Sequence, residues 1–176
     1  MAQQLPPSSS DGVFTVSGSA IIDAPIETVW KILLDFKGYK EWNPFVRDQK
    51  ITDSSGNILA DQTIAEGKYV NICPVHLTPS LEDVAFYNRS SAFVVCTALD
   101  HDNHRVAWRT TMLRWLLDAE RWQSCTVEPG GKVKYESIEV FNGVLAYFVR
   151  FFVGQKLIIG VGAMAKGLKA KSENQM

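Results

Sequence analysis

IIDAPIETVWKILLDFKGYKEWNPF, residues 21–45, joins a β-type run to a helical pattern and stops in Trp-Asn-Pro-Phe. Pro25 suits the first helical turn, where a missing N–H costs nothing, with Asp23 or Ala24 before it as the cap region. Ile26, Val29, Trp30, Leu33 and Leu34 recur at helical spacing and give this helix one apolar face. Gly38 breaks the pattern. A second short turn carries Tyr39 to Trp42, and Asn43-Pro44 ends it, because the residue before proline avoids the helical region. Aromatics placed where a helix stops need something to pack against, and the rest of the chain has to supply it.

On the N-terminal side, Val13 to Ile22 places Phe14, Val16, Ala20 and Ile22 on one parity, which reads as a strand with one buried face. Before it, the Pro/Ser-rich residues 1–12 have no apolar segment and read as a disordered leader. Beyond Phe45 the pattern is strands and turns. Val46–Thr52, a weaker Ile58–Ile64, Tyr69–Leu77, Ala92–Ala98, Arg105–Met112, Glu120–Val127 and Lys132–Phe141 are the segments. Pro74 inside one of them implies an edge or a bulge. After Gly143 a single helix is expected to run to the end, with an apolar stripe at Leu145, Phe148, Phe152, Ile159 and Ala163. Short connections between consecutive strands favour an antiparallel sheet, and a sheet with a long helix is an α+β layer arrangement.

The chain has 176 residues and a net charge of −1, enough for one domain with a real core and without the basic excess that nucleic-acid binding needs. Cys73, Cys96 and Cys125 are an odd set without close spacing, so neither a disulfide framework nor a zinc site is indicated. Three buried, reduced thiols in a cytoplasmic protein are the expectation. His101 and His104 flank a polar turn and are expected to be solvated.

With these residues in this order, the chain resembles the START-like superfamily (SRPBCC), which includes polyketide cyclase/dehydrase and lipid-transport proteins. The opening corner carries the resemblance, with Trp108 in RVAWRT, the hairpin TVEPGGKVKYESIEVFNG, and MAKGLKAKSE near the end. The resemblance covers residues 13–173 as one ligand-binding domain. It implies a helix-grip fold: a seven-stranded, curved antiparallel sheet wrapped around the long C-terminal helix, with two short helices after the first strand. It further implies a cavity between sheet and helix for an apolar small molecule or lipid, with no metal and no nucleotide cofactor. Two departures bear on the cavity mouth: Leu77–Phe93 is longer than the family's usual turn, and Met112–Asp118 is unusually apolar.

With register anchored on the family pattern, alternation points Arg121, Gln123, Cys125 and Val127 inward, and likewise Val133, Tyr135, Ser137, Glu139 and Phe141. Val106, Trp108 and Thr110 face in on the strand before, and His76 shares the parity of Val70 and Ile72 unless Pro74 shifts it. The candidate ligand wall is thus Trp42, Phe45, His76, Trp108 and Gln123, continued by Cys125, Ser137, Phe141, Phe148 and Phe152. Core packing is the competing account for the aromatics. A cyclase or dehydratase would use Glu139 as base with Tyr135 and Arg121 stabilising an enolate oxygen. A structural Arg–Glu pair on neighbouring strands explains the same charges without chemistry.

The run Leu145–Ala165 approaches the roughly 20 residues that span a bilayer, yet Arg150 and Lys156 would each cost about 2.5–3.5 kcal/mol there. Burial under the sheet explains one face of it. The remainder is left to a second chain, a membrane surface or cover by the short helices, and Trp115–Leu117 makes a second apolar spot that suits a mouth gate or a lipid contact.

Overall fold

Phe14–Ile22 forms β1; on its inward parity Val16 and Ile22 are fully buried and Phe14 and Ala20 half-buried. The computed structural model describes Pro6, Pro7 and residues 11–175. Most of the expected leader therefore lies outside the described residues. Helix α1 (Ile26–Leu34) starts directly after Pro25 and buries Val29, Trp30, Ile32 and Leu33. A 3-10 turn at Phe36–Gly38 leads into α2 (Tyr39–Trp42).

The chain then makes β2 (Gln49–Thr52), β3 (Tyr69–His76), β4 (Arg89–Asp100), β5 (Arg105–Thr110), β6 (Asp118–Val127) and β7 (Val133–Asn142). All pairings are antiparallel, in the order β1-β7-β6-β5-β4-β3-β2. The sheet curves around α4 (Gly154–Glu173), which lies against β1 and buries Val161, Met164, Ala165 and Leu168. This is the expected helix-grip arrangement. The outer face of the sheet holds a small separate cluster of Ala98, Ala107 and Trp122.

The aromatic corner packs on α4. Asn43 turns the chain by accepting hydrogen bonds from the amides of Phe45 (3.0 Å) and Val46 (2.9 Å). A side chain at Gly160 would sit 2.2 Å from the Phe45 ring, and one at Gly167 would sit 2.5 Å from the carbonyl oxygen of Trp42. Two glycines on the helix thus admit the Trp42–Phe45 corner, which answers what the aromatics at the helix stop are for.

Several expectations are corrected. The C-terminal helix is broken: α3 (Val144–Phe152) meets α4 at an angle of 74°, because Val153 leaves helical geometry where Gly154 settles against the Phe14 ring. The segment Ile58–Ile64 supplies only an isolated bridge, Thr52 to Ile58, in which Leu59 N–H donates to the Ile51 carbonyl; the Gln62 side chain then takes the Ile51 N–H that a longer strand partner would use. Cys73 is exposed, not buried, at the irregularity that Pro74 introduces into β3. Val127, near the end of its strand, is exposed as well. His101 is exposed, as expected, and accepts a hydrogen bond at Nδ1 from the Trp30 indole N–H (3.1 Å), whereas His104 is half-buried, edge-on to Trp30, with Nε2 3.0 Å from Glu27 Oε1.

Candidate functional site

A cavity of about 220 Å³ lies between the sheet and the α3–α4 bend. Phe45, Val46, Ile72, Val75, Trp108, Ala119 and Phe141 wall it from the sheet side, and Val149, Val153 and Leu157 close it from the helices. Ser90, Ser91 and Thr110 add hydroxyls. The two charged side chains of the lining are Arg121 and Glu139.

These two stand opposite each other, Arg121 on β6 and Glu139 on β7. Period-two alternation puts both on the concave face. Arg121 is buried, and its guanidinium is held from behind: Nε donates to Ser137 Oγ at 3.0 Å, and Nη2 lies 3.3 Å from Met164 Sδ. No carboxylate forms an ion pair with it among the described residues. Glu139 likewise makes no side-chain hydrogen bond or ion pair there. Burial lifts its carboxyl above the usual carboxylate range, and the positive charge of Arg121 offsets part of that rise. A buried cation and a carboxyl without direct partners, at one spot in an apolar wall, can fix one polar group of an apolar molecule.

Further along the same face the polar residues are structural. Tyr135 is fully buried and its hydroxyl donates to Gln123 Oε1. Burial pushes the phenol up to about 12. Cys125, beside it, is also pushed up to about 12 by burial, so its thiol stays protonated. Tyr39 donates to the carbonyl of Leu33 at 2.6 Å.

The structure therefore divides the residues proposed from sequence. Phe45, Trp108, Arg121, Glu139 and Phe141 meet at the cavity, and Ser137 supports Arg121. Trp42, Gln123, Tyr135 and Cys125 lie in the core away from the lining. The bulge in β3 gives Val75 to the cavity and turns His76 to a different cleft, beside Lys37, Lys40, Arg47, Asp48 and Lys50. There His76 Nδ1 lies 3.0 Å from the Ser80 carbonyl oxygen. Phe148 and Phe152 are 57 % and 68 % exposed and point away from the cavity. Sequence reading missed Val149, Val153 and Leu157. Their spacing of four is itself a helical signal, one position along from the stripe that was chosen, and only the site of the bend decides between them.

The family described as polyketide cyclase / dehydrase and lipid transport matches residues 13–173 of the chain. No curated protein matches. Among solved structures, a hypothetical protein from Helicobacter pylori is 16 % identical, with a TM-score of 0.68 over 98 % of this chain and 97 % of that one. A START superfamily protein from Mycobacterium smegmatis is 15 % identical, with a TM-score of 0.59 over 92 % and 99 %. A norcoclaurine synthase point mutant from Thalictrum flavum, in complex with a transition-state analogue, is 10 % identical, with a TM-score of 0.59 over 92 % and 94 %. Identities this low speak for the fold alone.

Proposed function

This chain belongs to the polyketide cyclase / dehydrase and lipid transport family, within the START-like superfamily, and from that premise we propose that its cavity encloses one apolar small molecule and anchors a single polar group of it at Arg121 and Glu139. The observation that carries this is the lining: apolar except for the hydroxyls of Ser90, Ser91 and Thr110 and for one charged spot, where the buried Arg121 guanidinium makes no ion pair among the described residues and the Glu139 carboxyl stands opposite. Burying a charge is costly unless something compensates it, so a ligand oxygen arriving at Arg121 gains a charge-assisted hydrogen bond. About 220 Å³ suits a ring system or a short chain; drug-sized ligands fill roughly 300–1,000 Å³.

Glu139 supports a second reading, a cyclase- or dehydratase-type reaction. Its carboxyl, lifted by burial, is a stronger base than a solvated one. It would take a proton from the carbon next to a ligand carbonyl, the electron pair would move onto the carbonyl oxygen, and Arg121 would stabilise that oxygen. Tyr135 drops out of this scheme, since its hydroxyl is engaged by Gln123 off the cavity.

Calorimetric titration with 2-naphthoate, an apolar bicycle with one carboxylate, tests the binding site. The parent chain should bind it at one site. Ala119→Leu, which fills the cavity, and Arg121→Met, which removes the anchor, should each weaken binding by about tenfold or more. Equal affinity in all three proteins would place the site elsewhere. Glu139→Gln should keep binding; loss of turnover on a carbonyl substrate in that variant would favour the enzyme.

A further inference from the structure

Two segments frame the mouth of the cavity, the loop 112–117 and α3, and α4 holds a third, the 3-10 turn Phe86–Asn88. They are tied together. The amide of Val144 donates to the Trp115 carbonyl (3.1 Å), that of Leu145 to the Leu116 carbonyl (2.8 Å), and Lys156 Nζ to Asn88 Oδ1 (3.1 Å). The loop reaches the cavity through Leu117 and α3 through Val149, with Leu157 of α4 beside them. The outer sides of the three segments carry large aromatic rings into solvent: Phe86 is 83 % exposed, Trp115 66 % and Phe151 83 %, with Tyr87, Phe148 and Phe152 exposed beside them. Isolated exposed apolar side chains need no explanation, but rings that pack on one another in solvent do: Phe86 meets Tyr87 edge-on, and Phe152 packs on both Phe148 and Phe151.

Charge decides what covers that face. Arg114 and Arg150 are exposed within it and have no acidic partner among the described residues. From residue 140 to residue 172 the chain has no Asp or Glu at all. The acids flanking these segments are engaged or set apart: Asp118, just after the loop 112–117, pairs with Arg109 at 3.3 Å, and in the loop before Phe86, which also holds Glu82, Asp83 lies 3.5 Å from Arg89. A two-fold contact between copies would set this unpaired positive face against itself, which like-charge repulsion opposes. Anionic headgroups complement it, and Trp and Phe rings suit the boundary between headgroups and acyl chains. α3 and α4 meet at 74°, so the two apolar helices do not make one straight span.

We propose that this face docks on the surface of an anionic lipid bilayer and opens the cavity mouth onto it. The docking goes beyond the cavity's ligand and stands whether that ligand is carried or converted.

Vesicle flotation of the full chain tests it, with phosphatidylcholine alone and with phosphatidylcholine mixed with phosphatidylserine. The chain should float with the mixed vesicles, less so as salt is raised, and weakly with the neutral ones. Arg114→Gln with Arg150→Gln should cost on the order of fivefold in partitioning per charge removed. Phe151→Ser with Phe152→Ser should lose roughly tenfold or more on the mixed vesicles. All four side chains are exposed, so the melting temperature should hold, and 2-naphthoate binding should stay within about twofold. No flotation with either vesicle, equal partitioning onto both, or a stable dimer in sedimentation that the Phe151/Phe152 variant dissociates would each overturn the proposal.

Discussion

Glu139 shows how one side chain couples the cavity to stability. Burial favours its neutral form, so the folded chain keeps that proton to higher pH than the unfolded chain does. The contribution of Glu139 is therefore fully favourable below its ordinary value of 4.5 and is lost as pH rises through the lifted folded value. Glu139→Gln should remove this slope. Urea midpoints measured across that range should fall more steeply for the parent than for the variant; parallel curves would mean that the carboxyl is not perturbed. Arg121 and Glu139 were both legible in the sequence, because alternation with the right register selects them. Tyr135 and Gln123 passed the same filter and belong to the core, since parity tells which face a side chain takes but not how far along it the cavity extends.

At the scale of elements, the fold depends on α4 seating against the Trp42–Phe45 corner. Gly167→Ala would gain helix propensity, yet its methyl would press on the Trp42 carbonyl, which is backbone and cannot swing aside. A net loss of about 1–3 kcal/mol is expected from such overpacking. Gly162, in the same helix, has open space around it, so Gly162→Ala should stabilise by about 0.5–1 kcal/mol. Thermal melts of the two variants should thus move in opposite directions, and a shared direction would mean that the corner does not set the helix's position. The periodicities of β1, α1 and the last strands gave away their elements. The break at Val153 did not announce itself, because α3 and α4 are both apolar and helical, and the turn between them depends on Gly154 seating against the distant Phe14 ring. His76 was misplaced for a related reason: one bulge at Cys73-Pro74 inverts every side chain after it.

For the whole molecule, sheet, corner and bent helices together leave one apolar space with one charged spot, and the central claim is that a small molecule occupies it. Methyl NMR of the full chain with bound 2-naphthoate tests this most directly, through contacts between ring protons and assigned Ala, Val and Leu methyls. The claim predicts contacts to Ala119, Val149, Val153 and Leu157, which converge on the cavity from β6 and from both helices. Contacts confined to the outward-facing Leu113 and Val144 would contradict it, because the molecule would then sit on the aromatic surface and leave the cavity empty.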